Sequence, residues 1–181
     1  MGVAPLTQTR ILACPTHDGL FDLLSEELQR RLPEFTGGDL DQHLRRLRML
    51  PVGLHAMAVV HPLDVSITLD DLGWHFGNWP HHDYSKETIW ALRELEAFEQ
   101  AELFEQAYAL AQPHWSMIST LPDDKFSGWY YGSAFAKATE PLTRRFWQLQ
   151  EIDNGLLGYW TRYARKYPHK VAMLSVVRND G

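Results

Sequence analysis

Several features that define common protein classes are missing from this sequence. Its 181 residues contain a single cysteine, Cys14, so no disulfide can form within the chain. No apolar run approaches the roughly 20 residues that cross a membrane, and no basic segment followed by a long apolar one marks a secretory signal. These absences predict a cytoplasmic protein that does not interact with membranes.

Signatures of catalysis are also scarce. Cys14 and His17 have no third group beside them that would orient a nucleophile and its base. The adjacent carboxylates Asp70-Asp71 and Asp123-Asp124 are typical of helix caps and solvated turns, because neighbouring side chains point in different directions. No cofactor is expected from the sequence.

The composition is that of an ordinary globular protein, with 45% apolar and 22% charged residues. The length suits one domain with a sizeable core, and the sequence shows no internal repeat. We therefore predict a single domain over residues 1–181, with residues 1–15 loose and residues 171–181 peripheral. The apolar run at 171–177 could be a strand or a helix.

Apolar residues recur with helical spacing along most of the chain, which predicts an all-α fold of about seven to nine helices. Between residues 83 and 111 two apolar stripes lie on opposite sides of one ideal helix, so two helices should meet near Glu96 to Gln100. Prolines and capping residues supply the other boundaries. Starts are expected at Thr16 to Asp18, Asp39, Pro51, Ser66 or Thr68, Ser85 or Asp83, Thr139 to Pro141, and Asp153 or Asn154, ends at Pro33, His61-Pro62, Phe76, Pro113 and Pro168, and a loop-like stretch at 114–137.

Charge is unevenly distributed along the chain, whose net charge is −6. Residues 83–112 hold seven carboxylates and two cations, whereas residues 141–181 hold seven cations and three carboxylates. An acidic middle therefore precedes a basic end. The basic end of one copy could meet the acidic middle of another, which makes a homodimer a hypothesis.

Three histidines, His75, His81 and His82, lie close together in the sequence beside Asp83. Imidazole and carboxylate groups are good ligands for zinc and similar ions. Their spacing matches no known ligand motif, so a polar loop that begins a helix explains them equally well. A metal-dependent enzyme that uses these histidines stays open as an alternative.

The middle of the chain resembles a bacterial family of unknown function that is typified by a dimeric, DNA-mimicking protein. The resemblance covers roughly residues 45–170 and is carried by LPVGL at 50–54, LDDLGWHFGN at 69–78, the Ala-Leu-x-x-Leu-x-Ala join at 91–97, and the tail LTRRFWQLQEIDNGLLGYWTRYARKYPHK. Asp71-Leu72 and Glu96-Ala97 depart from the family pattern. The residues that match its central motif are Gly73, Trp74, Phe76 and Asn78.

This resemblance implies a helical, non-enzymatic protein that binds a protein partner, with DNA mimicry as the narrower form of that function. In a DNA mimic, carboxylates take the place of phosphates and occupy a DNA-binding protein. Direct nucleic-acid binding is not expected, because the chain is negatively charged overall. An immunity or antitoxin role, with a toxin as the partner, is a further alternative. The residues expected to form the acidic face are Asp70, Asp71, Glu94, Glu99, Glu102 and Glu105.

Overall fold

The computed structural model describes residues 4–32, 35 and 38–172, and all of their regular structure is helical. The all-α prediction is confirmed, and the predicted number of seven to nine helices is slightly low. Short helices account for the difference, because the four to six residues of α1, α8 and α12 are too few to show a periodic stripe. The helices are α1 (Gln8–Ala13), α2 (His17–Arg31), α3 (Leu40–Leu47), α4 (Val52–Leu69), α5 (Leu72–Asn78), α6 (His82–Glu94), α7 (Phe98–Ala111), a 3-10 turn (Gln112–His114), α8 (Trp115–Thr120), α9 (Asp123–Tyr130), α10 (Ala134–Gln150), α11 (Gly155–Lys166) and α12 (Pro168–Val171).

Local capping chemistry starts several of these helices as the sequence predicts. The Thr16 side chain accepts a hydrogen bond from the Gly19 amide at 3.1 Å and opens α2. Asp39 opens α3 in the same way, with the Gln42 amide 3.0 Å from Oδ1. In both helices the oxygen satisfies an amide that has no partner inside the helix.

The predicted break in the middle of the chain is confirmed between α6 and α7. Glu96 takes a positive φ of 65°, which a single turn residue can tolerate but a continuing helix cannot. The Ala97 amide then donates back to the Leu92 carbonyl at 2.9 Å and closes the end of α6. The cap at the start of α6 differs from the prediction, because the side chain of His81 accepts from the Tyr84 amide.

Two prolines that were expected to bound helices lie inside them instead. His61-Pro62 does not end α4, which continues to Leu69, so Ser66 and Thr68 do not open the next helix. A proline inside a helix removes one hydrogen bond and costs about 3 kcal/mol. Burial of Leu63 and Ile67 beyond the proline offsets this cost. By length and composition, α4 is the one described helix that could cross a membrane, and it contributes most of its residues to the core.

The helix start predicted at Thr139 to Pro141 is also wrong, because Pro141 lies inside a longer helix. Ser133 caps α10 with a 3.0 Å bond from the Ala136 amide, and the helix runs through Pro141. Phe135 and Phe146 are buried on either side of the proline, so packing holds the helix together. The stretch at 114–137, expected to be loop-like, contains α8 and α9.

The described helices share one hydrophobic core, whose largest buried side chains include Trp160, Tyr84 and Phe104. Residues 8–13, which were expected to be loose, form the packed helix α1. This helix buries Ile11 completely and contacts α11 and α12. Val171 ends α12 in the core, and residues 173–177 lie outside the described residues.

Candidate functional site

Three carboxylates of the expected acidic face, Glu99, Glu102 and Glu105, are exposed along α7. Two of them form ion pairs. Arg145 lies 2.5 Å from Glu99, and Arg93 lies 2.6 Å from Glu105. Glu102 has no ion-pair partner among the described residues. The local net charge of this α7 surface is therefore small.

Glu94 and Glu96, near the turn between α6 and α7, are held by the basic end of the chain. Lys170 donates to Glu94 at 2.8 Å, and the Tyr163 hydroxyl donates to the same carboxylate. Burial alone would raise the pKa of Glu94, but these two hydrogen bonds outweigh it and lower the pKa. Hydrogen bonds from Lys166 and Tyr167 lower the pKa of Glu96.

Ion pairs thus join the acidic middle to the basic end inside one chain. The pairs Arg145–Glu99, Lys166–Glu96 and Lys170–Glu94 join residues that are between 46 and 76 positions apart. These pairs leave fewer charges for contact between two copies. The sequence showed the two charged regions but could not show that they meet.

Asp70 and Asp71 lie in the link between α4 and α5. Asp71 accepts hydrogen bonds from the Trp74 amide at 2.7 Å and from the Tyr130 hydroxyl at 2.6 Å, so it caps α5. Burial, followed by the neighbouring charge of Asp71, raises the pKa of Asp70. The Asp71 carboxylate therefore already accepts hydrogen bonds within the protein.

Both α5, which Asp71 caps, and α7 contact α10. On one side of α10, the Thr143 hydroxyl accepts from the Leu72 amide at 3.2 Å. Arg145, two positions later, reaches Glu99 on α7. Two positions on a helix turn by about 200°, so these contacts lie on opposite sides of α10. Glu99 and the start of α5 are thus held by different sides of α10.

The ion pairs on α7 are expected to contribute little to stability. Glu99→Gln and Glu105→Gln should each lower the free energy of unfolding by less than about 1 kcal/mol, because exposed pairs are weak. Glu94→Gln, whose side chain is 21% exposed, should cost more, about 1 to 2 kcal/mol, because it loses charge-assisted hydrogen bonds. Urea denaturation of the three variants measures this order. An equal loss in all three would contradict it.

The four residues of the family motif lie on and after the first turn of α5. Gly73 lies against the ring of Tyr130, and Phe76 is fully buried beside Phe104, with 5.2 Å between ring centroids. Trp74 packs edge-on against Phe126 at 5.1 Å. Asn78 is exposed at the end of the helix.

The three candidate metal ligands each have a separate structural partner. His75 is fully buried, its Nδ1 is 3.0 Å from the Ser66 hydroxyl, and burial lowers its pKa to about 3. His81 caps α6 and places Nε2 3.2 Å from Asp41. His82 stacks on Trp115 with 4.0 Å between ring centroids.

These contacts assign the three histidines to packing and capping. Among residues 4–32, 35 and 38–172, no three His, Cys, Asp or Glu side chains gather in a way that could hold a metal ion. The Ser66 hydroxyl also lies 2.9 Å from the Pro62 carbonyl, so the neutral His75 belongs to a buried hydrogen-bonded group. The alternative of an enzyme built on these histidines gains no support from this geometry.

A second row of carboxylates, which is not part of the predicted acidic face, follows the exposed side of α2. Asp18, Asp22 and Glu26 are exposed and have no ion pair with a lysine or arginine among the described residues. The neighbouring cations are engaged elsewhere: Arg30 and Arg31 hold the buried Glu27. The spacing of four residues is the signal that would have identified this row.

The spacing along this row compares with that of DNA. Residues four apart on a helix are about 6 Å apart along its axis. Phosphates on one DNA strand follow each other every 3.4 Å of axis, so two phosphates correspond to about 6.8 Å of axis. Along its axis the row therefore carries about one carboxylate for every two phosphates of one strand.

The fold and the surface define an all-helical domain that exposes rows of carboxylates. The chain belongs to the DMP19-like protein family, whose model matches residues 49–167. This confirms the resemblance to a DNA-mimic family that the sequence indicated. Comparisons with curated proteins and with solved structures find no match.

Proposed function

We propose that this protein is a DNA mimic that occupies the DNA-binding surface of a protein partner with its own carboxylates. Membership of the family supports the class of function. The α2 row supports the surface, because Asp18, Asp22 and Glu26 are exposed and carry about one charge for every two phosphates of one DNA strand along the axis. This row precedes the segment that the family model matches, so the proposal for α2 depends on the geometry of this chain.

The surface predicted from the sequence stays in competition with the α2 row. On α7, Glu99 and Glu105 are paired with arginines, but such exposed pairs are weak and could open when a partner supplies its own cations. Glu102 lies between them and is exposed. The two surfaces make different predictions for charge-reversal variants.

Capture from the lysate of the source organism tests the function. The protein is immobilised at low salt, and bound proteins are eluted with duplex DNA at constant ionic strength. A DNA mimic and DNA compete for the same surface, so a DNA-binding protein should elute with the duplex. It should also elute in 1 M salt, where the Debye length falls to about 3 Å.

Two charge-matched variants locate the surface. Asp22→Lys/Glu26→Lys should abolish this capture, whereas Glu99→Lys/Glu102→Lys should leave most of it, although both change the net charge equally. The reverse result would assign the mimicry to α7. A partner that resists both salt and DNA would contradict mimicry and fit the immunity role instead. Recovery of no DNA-displaceable protein would also overturn the proposal.

A further inference from the structure

A groove lies between α2, α3, α4 and the end of α5. Its volume is about 940 Å³, which is within the range of clefts that bind small molecules. Most of the side chains that line it are apolar or aromatic, and they include Phe21, Leu28, Leu47, Val65, Trp79 and Trp160. Such a lining can pack against the apolar body of a small ligand.

Charge does not favour a ligand of either sign. Among the described residues, no lysine or arginine lines the groove, and Asp123 is the one carboxylate that does. Exposed side chains of both signs lie next to lining residues of α2 and α3, and they include Asp22, Glu26, Arg30 and Arg46. A buried charge without a partner is unfavourable, so the groove favours a neutral ligand.

The indole N–H of Trp160 is a buried hydrogen-bond donor without an acceptor. Trp160 is 1% exposed, and its Nε1 has no hydrogen-bond partner among the described residues. Buried polar groups in proteins nearly always have a partner, because an unpaired donor is unfavourable. An indole can only donate, so this position requires an acceptor such as an amide oxygen.

This donor belongs to the wall of the groove. Phe21 and His61 pack on Trp160 with 5.6 Å and 5.9 Å between ring centroids, and both of these rings also line the groove. His61 is exposed, so its ring can turn aside without loss of core packing. A ligand that takes its place can reach the indole N–H.

Pro62 leaves a second polar group of the wall without its usual partner. Proline has no amide hydrogen, so the Ala58 carbonyl lacks the helical hydrogen bond that it would receive from position 62. Ala58 and Pro62 both line the groove, on either side of His61 in the sequence spacing of α4. The wall formed by α4 and α11 thus offers an acceptor as well as a donor.

We propose that this groove binds a small, neutral, largely apolar molecule that carries an amide or hydroxyl group. The apolar body of the ligand packs on the lining of the groove. Its polar group accepts a hydrogen bond from Trp160 Nε1 and donates one to the Ala58 carbonyl. This binding site goes beyond the proposed DNA mimicry and does not depend on it.

Three naphthalene compounds test the site. The probe is naphthalene carboxamide, which is neutral, has an apolar fused ring and carries an amide. Isopropylnaphthalene has nearly the same shape without a polar group, and naphthalene carboxylate adds a negative charge. Binding to the full chain is followed by nitrogen–proton correlation NMR, in which the seven tryptophans give seven indole signals. The signal that is absent from Trp160→Phe belongs to Trp160.

The amide should move the Trp160 indole proton signal to higher frequency, and isopropylnaphthalene should not, because only the amide accepts a hydrogen bond. Trp160→Phe should weaken binding of the amide about tenfold and binding of isopropylnaphthalene less than about twofold. The difference between the two compounds removes the general effects of the substitution on the core. The carboxylate should bind more weakly than the amide.

A second pair of variants tests the groove without changing Trp160. Ala58→Phe fills part of the groove and should weaken binding of the amide and of isopropylnaphthalene about tenfold or more. Val52→Phe, on the same helix but exposed and outside the groove, should leave both affinities within about twofold. An unchanged helical circular dichroism signal confirms the fold of each variant.

Several results would overturn the proposal. Absence of amide binding, or an equal effect of Ala58→Phe and Val52→Phe, would reject the groove as the site. Binding of the amide without a shift of the Trp160 signal would reject the polar contact, because water would then satisfy the indole. Tighter binding of the carboxylate than of the amide would reject a neutral ligand.

Discussion

Replacing Gly73 by alanine is expected to destabilise the protein by about 2 kcal/mol, although alanine is the better helix former. A Cβ atom at this position would lie 2.8 Å from ring carbons of Tyr130, and nearer still to its hydroxyl oxygen. The ring cannot easily move away. It is 1% exposed, lies edge-on to Trp74 at 5.6 Å, and donates its hydroxyl to Asp71.

Whether Gly73→Ala stabilises or destabilises the protein depends on the balance of opposing effects. Gly→Ala in a helix gains about 1 kcal/mol, whereas overpacking a core costs about 1 to 3 kcal/mol. Displacing Tyr130 also weakens its hydrogen bond to the cap of α5, which is worth about 1 kcal/mol. The loss therefore outweighs the gain, and denaturant titration of the variant measures it.

Two further variants control this experiment. At Gly128 on α9 an added Cβ meets nothing within 4 Å, so Gly128→Ala should be neutral or stabilising. Tyr130→Phe removes the closest atom, so Gly73→Ala should cost less in that background than alone. If Gly73→Ala and Gly128→Ala changed stability equally, the close approach of α5 to Tyr130 would be wrong.

Stability is expected to fall between pH 6.5 and pH 4 because His75 is buried in its neutral form. Burial lowers the pKa of His75 from 6.5 to about 3 in the folded protein. Between these two pKa values, His75 binds a proton in the unfolded chain but not in the folded protein. The contribution of His75 to the free energy of unfolding is complete above about pH 6.5 and is lost as the pH falls towards 3. On the order of 3 kcal/mol should disappear by pH 4.

A comparison with His75→Gln isolates this effect from the titration of the carboxylates. Glutamine can retain a hydrogen bond to Ser66 but does not titrate. The wild type should be the more stable protein at pH 7, and its advantage should shrink steadily as the pH falls. Urea denaturation at several pH values gives the difference. A difference that stays constant from pH 7 to pH 4 would show that His75 is not held neutral.

Much of the helical framework could be read from the sequence because its causes are local. Side chains that cap, such as Thr16 and Asp39, act on amides two or three residues away. The break at Glu96 could be placed because the two apolar stripes beside it lie on opposite sides of one helix. Asp71 could equally be recognised as a potential cap, and the structure shows that it is one.

The errors arose where distant residues outweigh local preferences. Pro62 and Pro141 should interrupt helices, and they do not because the residues beyond them are buried by other elements. The charge of the α7 surface also depends on distant residues. Glu99 is paired with Arg145, 46 positions away in the sequence, which only folding brings within reach.

The sequence by itself determined the helical class, the family and the separation of an acidic middle from a basic end. These depend on periodicity, motifs and charge counts, which are properties of the chain before it folds. The tertiary structure decided which carboxylates remain available for a partner, because an ion pair depends on distances between helices that are far apart in sequence. For the same reason only the fold shows the groove that α2 forms with α3, α4 and α5.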